Sequence, residues 1–177
     1  MESKEMTLPE TWQKYLVDLV TANRAELEKR YQQVLRESLF DRRTSFRPNM
    51  VNRIATEEVE ALTYFFSEAE FTAVPHGVKL HALGLTQGVL LQLGKETRQF
   101  FLAHVNEHHA QAVQAVDAYQ EMVIQGHMET NEARILREQE LIRGALQTAV
   151  SRYMVEIKEI EAMAEKATQA NQFKTQF

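Results

Sequence analysis

Ile142-Arg143-Gly144-Ala145-Leu146-Gln147-Thr148-Ala149-Val150-Ser151-Arg152-Tyr153-Met154-Val155-Glu156-Ile157-Lys158-Glu159-Ile160 lies in the last third of this 177-residue chain. Its apolar residues Ile142, Leu146, Ala149, Tyr153, Ile157 and Ile160, continued by Ala164 and Ala167, recur at steps of three and four. Such spacing draws one narrow apolar seam along a helix, with Glu, Lys, Arg and Gln on the other faces. A single helix cannot bury a seam of this kind, so the pattern predicts a partner helix. The steps Ala149→Tyr153→Ile157 are both four residues long, where a heptad would alternate three and four. That stutter locally unwinds a coiled coil and marks a point where helix phase changes. Residues 106–177 contain no proline, and Gly126 and Gly144 alone interrupt the helix formers. One helix over that range would span about 108 Å at 1.5 Å per residue, so most of it is expected to stand clear of a globular body as a stalk.

Working back from the seam, Val113, Val116, Tyr119, Met122 and Val123 continue a helical period and are expected to pack in a dimer. Upstream, Thr86 reads as the cap of a helix carrying Val89, Leu90, Leu93, Thr97, Phe100, Phe101 and Val105, with Gly88 and Gly94 admitting a close neighbour. A short helix over residues 78–83 is stopped by Gly84. Pro48 opens a helix bearing Val51, Ile54, Val59, Leu62, Phe65, Phe66 and Ala69, with Glu57, Glu58 and Glu60 placed on its wet side. The first helical run starts at a Thr7 cap with Pro9 in its first turn and carries Trp12, Leu16, Leu27, Tyr31 and Leu35 to about Phe40. Its polar joint is expected at Thr21-Ala22-Asn23-Arg24. Residues 41–47 read as a polar loop whose Arg42 and Arg43 are solvated.

Three prolines, six glycines and no strand signal make the chain all-α. The expected division is a helical body over residues 1–130 and a coiled-coil segment over residues 131–177. A net charge of −5 without a basic block argues against nucleic acid as a partner. No apolar run is long enough to span a membrane, and Met1-Glu2-Ser3-Lys4-Glu5-Met6 is not of signal-peptide type. The absence of cysteine suits the cytoplasm and rules out disulfides and thiolate metal sites.

Catalytic patterns are missing. Gly84-Leu85-Thr86-Gln87-Gly88-Val89 lacks both the third glycine of a dinucleotide loop and the Lys-Ser/Thr of a phosphate loop. There is no cysteine nucleophile or serine elbow, and the paired Glu-x-x-His of a di-iron bundle does not occur. His104 and His108, four apart, would share a face of a continuous helix, yet no third metal ligand accompanies them. No metal is therefore expected. His76, before Gly77, reads as a solvent-facing loop residue.

Two stretches carry a resemblance. Gly77-Val78-Lys79-Leu80-His81-Ala82-Leu83-Gly84-Leu85-Thr86 resembles the proximal-helix segment of globin-coupled sensors, with Leu80 at the haem-ligating position. His81 is one residue along, about 100° around the helix. The departure points to the non-haem, globin-like domains of stressosome-type sensors, which are dimeric and signal through paired C-terminal helices. Ala167-Thr168-Gln169-Ala170-Asn171-Gln172-Phe173-Lys174-Thr175-Gln176-Phe177 resembles the segment that enters the dimerisation domain of sensor histidine kinases, just before the phosphoacceptor motif. Together these imply a globin-like helical bundle followed by a coiled-coil signalling helix, serving as the dimeric input domain of a cytoplasmic two-component kinase. The chain itself would not be an enzyme. Its parent would be an ATP-dependent protein-histidine kinase acting on a response regulator. The implied pocket lies near Leu80, His81, Phe65 and Phe66, takes an apolar or gaseous ligand or none, and requires no cofactor. Two alternatives stand beside it: a haem-binding gas sensor using His81 or His76, and a helical adaptor that dimerises without sensing.

Overall fold

The computed structural model describes residues 10–40, 44–68, 70–105 and 108–175. The Thr7 cap, Arg42, Arg43, Ala69, Asn106 and the final Gln176-Phe177 step lie outside them. The elements are α1 (Glu10–Ala22), α2 (Arg24–Ser38), a 3-10 turn (Pro48–Met50), α3 (Val51–Ser67), α4 (Val74–Ala82), α5 (Gln87–His104) and α6 (His109–Thr175). No strand occurs among the described residues, so the architecture is all-α. The chain forms two compact units, Met1–Asn131 and Glu132–Phe177.

Local chemistry sets the boundaries in the first unit. At the α1–α2 joint the Asn23 side chain donates to the Leu19 carbonyl at 3.0 Å, while its own carbonyl accepts from Leu27. The asparagine side chain thus shares the Leu19 carbonyl with its own backbone amide where the helix breaks. Thr86 caps α5, its hydroxyl accepting from the Val89 amide. Gly84, at φ 89°, makes the left-handed turn between α4 and α5, and its carbonyl accepts from Ser45. That bond ties down the segment before α3 and lets Phe46 bury its ring, although the surrounding residues read as a polar break.

One expectation is corrected. α4 begins at Val74 with Pro75 in its first turn, four residues before the helix read from sequence, because proline suits a helix start. α5 ends at His104 and α6 starts at His109, so His104 and His108 share no continuous helix. His104 bonds the Phe100 carbonyl and Glu26, while His108 meets the edge of Trp12.

The core of this unit is aromatic and aliphatic. Phe66 and Phe101 meet edge to face at 5.6 Å, Phe101 contacts Phe100 likewise, and Leu16, Leu27, Leu35, Ile54, Leu62, Leu80 and Leu93 fill the space around them. α6 joins this core through Ala112, Ala115, Val116, Tyr119 and Val123. α4 and α6 approach backbone to backbone: a methyl at Gly77 would collide with the Val123 carbonyl, and one at Gly126 with the Val74 carbonyl. Gly94 likewise leaves room for the Gln120 amide, which reaches the Leu90 carbonyl and accepts from Arg98. In the second unit Gly144 has open space around it.

Gly77→Ala and Gly126→Ala should each lower stability by roughly 1–3 kcal/mol through overpacking. Gly144→Ala should raise the helicity of its own segment by up to about 1 kcal/mol. Urea unfolding followed by circular dichroism checks both signs.

Candidate functional site

The apolar period of α3 runs through Ile54, Glu58 and Leu62, and both flanking residues are fully buried. Helical geometry therefore carries the Glu58 carboxylate into the core with them. Glu58 is 4 % exposed, a correction to its placement on the wet side of the helix. A carboxylate in that position needs hydrogen bonds to both oxygens. Tyr119 of α6 donates to Oε1 at 3.0 Å, and His76 Nε2 of α4 lies 2.6 Å from Oε2. The His76 side chain is 9 % exposed and lies within α4, so it is a half-buried helical residue and not the solvent-facing loop residue expected.

A second pair lies beside this one. Thr97 donates its single hydroxyl proton to the Leu93 carbonyl at 2.8 Å, so Tyr31, 2.6 Å away, must donate to Thr97. Burial pushes both the Tyr31 and Tyr119 phenols well above their ordinary value, and the negative charge of Glu58 adds to this in each case. Five helices thus contribute to one polar cluster: Tyr31 from α2, Glu58 from α3, His76 from α4, Thr97 from α5 and Tyr119 from α6. Its two halves share the field of one carboxylate.

A third contact clamps α4 onto α6. His127 Nε2 donates to the Leu85 carbonyl at 2.9 Å, and His81 Nδ1 lies 3.4 Å from the same nitrogen. The two rings meet edge to face at 4.7 Å.

Against this geometry, Leu80 and Phe66 are fully buried core residues, Phe65 packs on Tyr119, and His81 faces His127. None of the four lines an open cleft of about 340 Å³ between α3 and α4, which is lined by Ala61, Tyr64, Phe71, Pro75, His76 and Lys79, together with Glu57 and Glu60. Burial alone would raise the Glu57 carboxyl, but hydrogen bonds from Arg53 and Lys79 outweigh it and hold the group below the ordinary carboxylate value.

Val116, Tyr119 and Val123 are buried within their own chain, which corrects their assignment to a dimer interface. The bundle uses that face of α6 for its own core. Val113 and Met122 are half-buried. By contrast Ile142, Leu146, Tyr153, Ile157 and Ile160 are 54–65 % exposed, and Ala149 is exposed too. Among the described residues no group of three or more His, Asp or Glu is placed to hold a metal ion, and no helix is long and apolar enough to cross a membrane. The chain matches no protein-family model, no curated protein and no solved structure.

Both phenols stay protonated in the folded chain above the pH at which free tyrosine ionises, about 10. Their contribution to stability is therefore intact below that pH and is lost as pH rises above it, because the unfolded chain releases the protons first. The expected loss is about 1.4 kcal/mol per pH unit for each tyrosine. Urea unfolding between about pH 9 and pH 11 should show it, and Tyr119→Phe should remove roughly half of the slope.

Proposed function

We propose that this chain is the dimeric input domain of a signalling protein, and that α6 carries a change in the helical bundle to whatever follows it. The observation that carries this reading is the double character of α6. Its first turns hold Tyr119 on the buried Glu58 carboxylate. Its later turns present an apolar seam that finds no cover within their own unit. A second copy of the same helix is the natural occupant: Glu138 and Arg143 flank the seam on opposite sides, as coiled-coil flanking charges do. Below the stutter the flanks carry Glu156 and Glu161, of like charge, which weakens pairing there and leaves a segment able to change phase.

The mechanism needs two packings of the bundle with different preferences for the helix pair. In one, His76 and Tyr119 both bind Glu58. In the other, one partner has left and α6 shifts against α4. The resemblances to non-haem globin-like sensors and to the kinase junction extend this reading. They make the bundle a cytoplasmic sensor, its output a histidine kinase core on a longer chain, and its target a response regulator. Haem has little to recommend it, because Leu80 is sealed in the core and the two candidate histidines bond Glu58 and His127.

Light scattering tests the pairing. The expected mass is twice the 20.5 kDa of one chain, falling to a single chain in Ile142→Asp/Leu146→Asp while helix content stays high. A monomeric parent, or a dimer that survives the double substitution, would remove the seam from the account.

A further inference from the structure

The cleft between α3 and α4 opens onto the one member of the buried cluster that reaches it. The His76 side chain is nine-tenths buried, and its Nε2 is taken by Glu58. Its Nδ1 has no hydrogen-bond partner among the described residues. In the neutral ring with Nε2–H donating inward, Nδ1 is an acceptor, and His76 lines the cleft.

The rest of the lining defines what would fit. Tyr64, 53 % exposed, lies nearly parallel to Phe71, with ring centroids 6.2 Å apart and planes at 30°. Ala61 and Pro75 extend this apolar wall. Of the nearby cations, Lys79 and Arg53 share the one carboxylate of Glu57, and Arg24 bonds Glu60 and Glu28. An incoming donor meets Nδ1 of His76 and the half-exposed Glu60. A volume of about 340 Å³ is at the lower end of the range for small-molecule sites.

We infer that this cleft binds a small planar aromatic molecule bearing an N–H or O–H donor, its ring against Tyr64 and Phe71 and its donor on Nδ1 of His76. The inference rests on the sensory reading above and supplies its input. Bound there, the ligand polarises His76 against Glu58, and Glu58 is held by Tyr119 of α6.

The test uses the full chain, titrated in turn with indole, phenol and benzoate while the ring nitrogens of His76 are followed by NMR. Indole and phenol should give saturable shifts centred on Nδ1, benzoate should not, and Tyr64→Ala should weaken binding by at least about threefold. Tyr64 is exposed enough for that variant to fold. No saturable shift, equal binding of benzoate, or unchanged affinity in Tyr64→Ala would overturn the site. In the same samples, disulfide cross-linking of a Leu146→Cys variant reports on α6. A ligand that binds without altering cross-linking upholds the site and overturns the sensory reading, so the two ideas fail separately.

Discussion

The buried carboxylate of Glu58 is the constraint on which the first unit depends. An ionised group taken out of water is tolerated only when its oxygens find donors, and removing a donor leaves a penalty several times larger than an ordinary hydrogen bond is worth. Those donors come from different helices, His76 from α4 and Tyr119 from α6. The requirement therefore acts over distance: α3 cannot keep Glu58 in the core unless α4 and α6 are in place. The glycine pair makes that placement geometrically possible, since Gly77 and Gly126 let α4 lie flush on α6 with His76 turned toward Glu58 and His81 toward His127.

An arrangement of this kind is poorly suited to maximal stability. Apolar residues of similar volume would fill the same space without a desolvation cost. It is well suited to having two states, because a single hydrogen bond gained or lost at Glu58 changes the balance among three helices. Tyr31 and Thr97 add a fourth helix and a fifth to the same field. The seam from Ile142 to Ile160 belongs to the helix that ends this chain of contacts, and its uncovered apolar residues are what a signal reaching α6 would act on.

Much of the architecture was legible in the residues. The three-to-four spacing gave the helices, Asn23 and Gly84 marked breaks that side-chain and left-handed backbone chemistry enforce, and Thr86 announced its cap. The polar cluster was not read, although one sign of it was present: Glu58 falls in phase with Ile54 and Leu62. Charge was allowed to outweigh phase, and phase decided. The loop reading of His76 fails because Pro75 stands in the first turn of α4, which carries His76 into the helix. Tyr119 was seen as apolar periodicity and assigned to a second copy. Its hydroxyl partner lies 61 positions earlier in the chain, a distance over which no local pattern carries information. The Gly77–Gly126 crossing escaped notice for the same reason.

Amide hydrogen exchange compared between the parent chain and Glu58→Gln tests the central claim most directly. If the state of Glu58 is read by α6, exchange should quicken around Tyr119 and His127 and also along the seam from Ile142 to Ile160. If faster exchange stays within α3 and α4 and leaves the seam untouched, the buried carboxylate is a packing feature of the bundle and the proposed coupling is wrong.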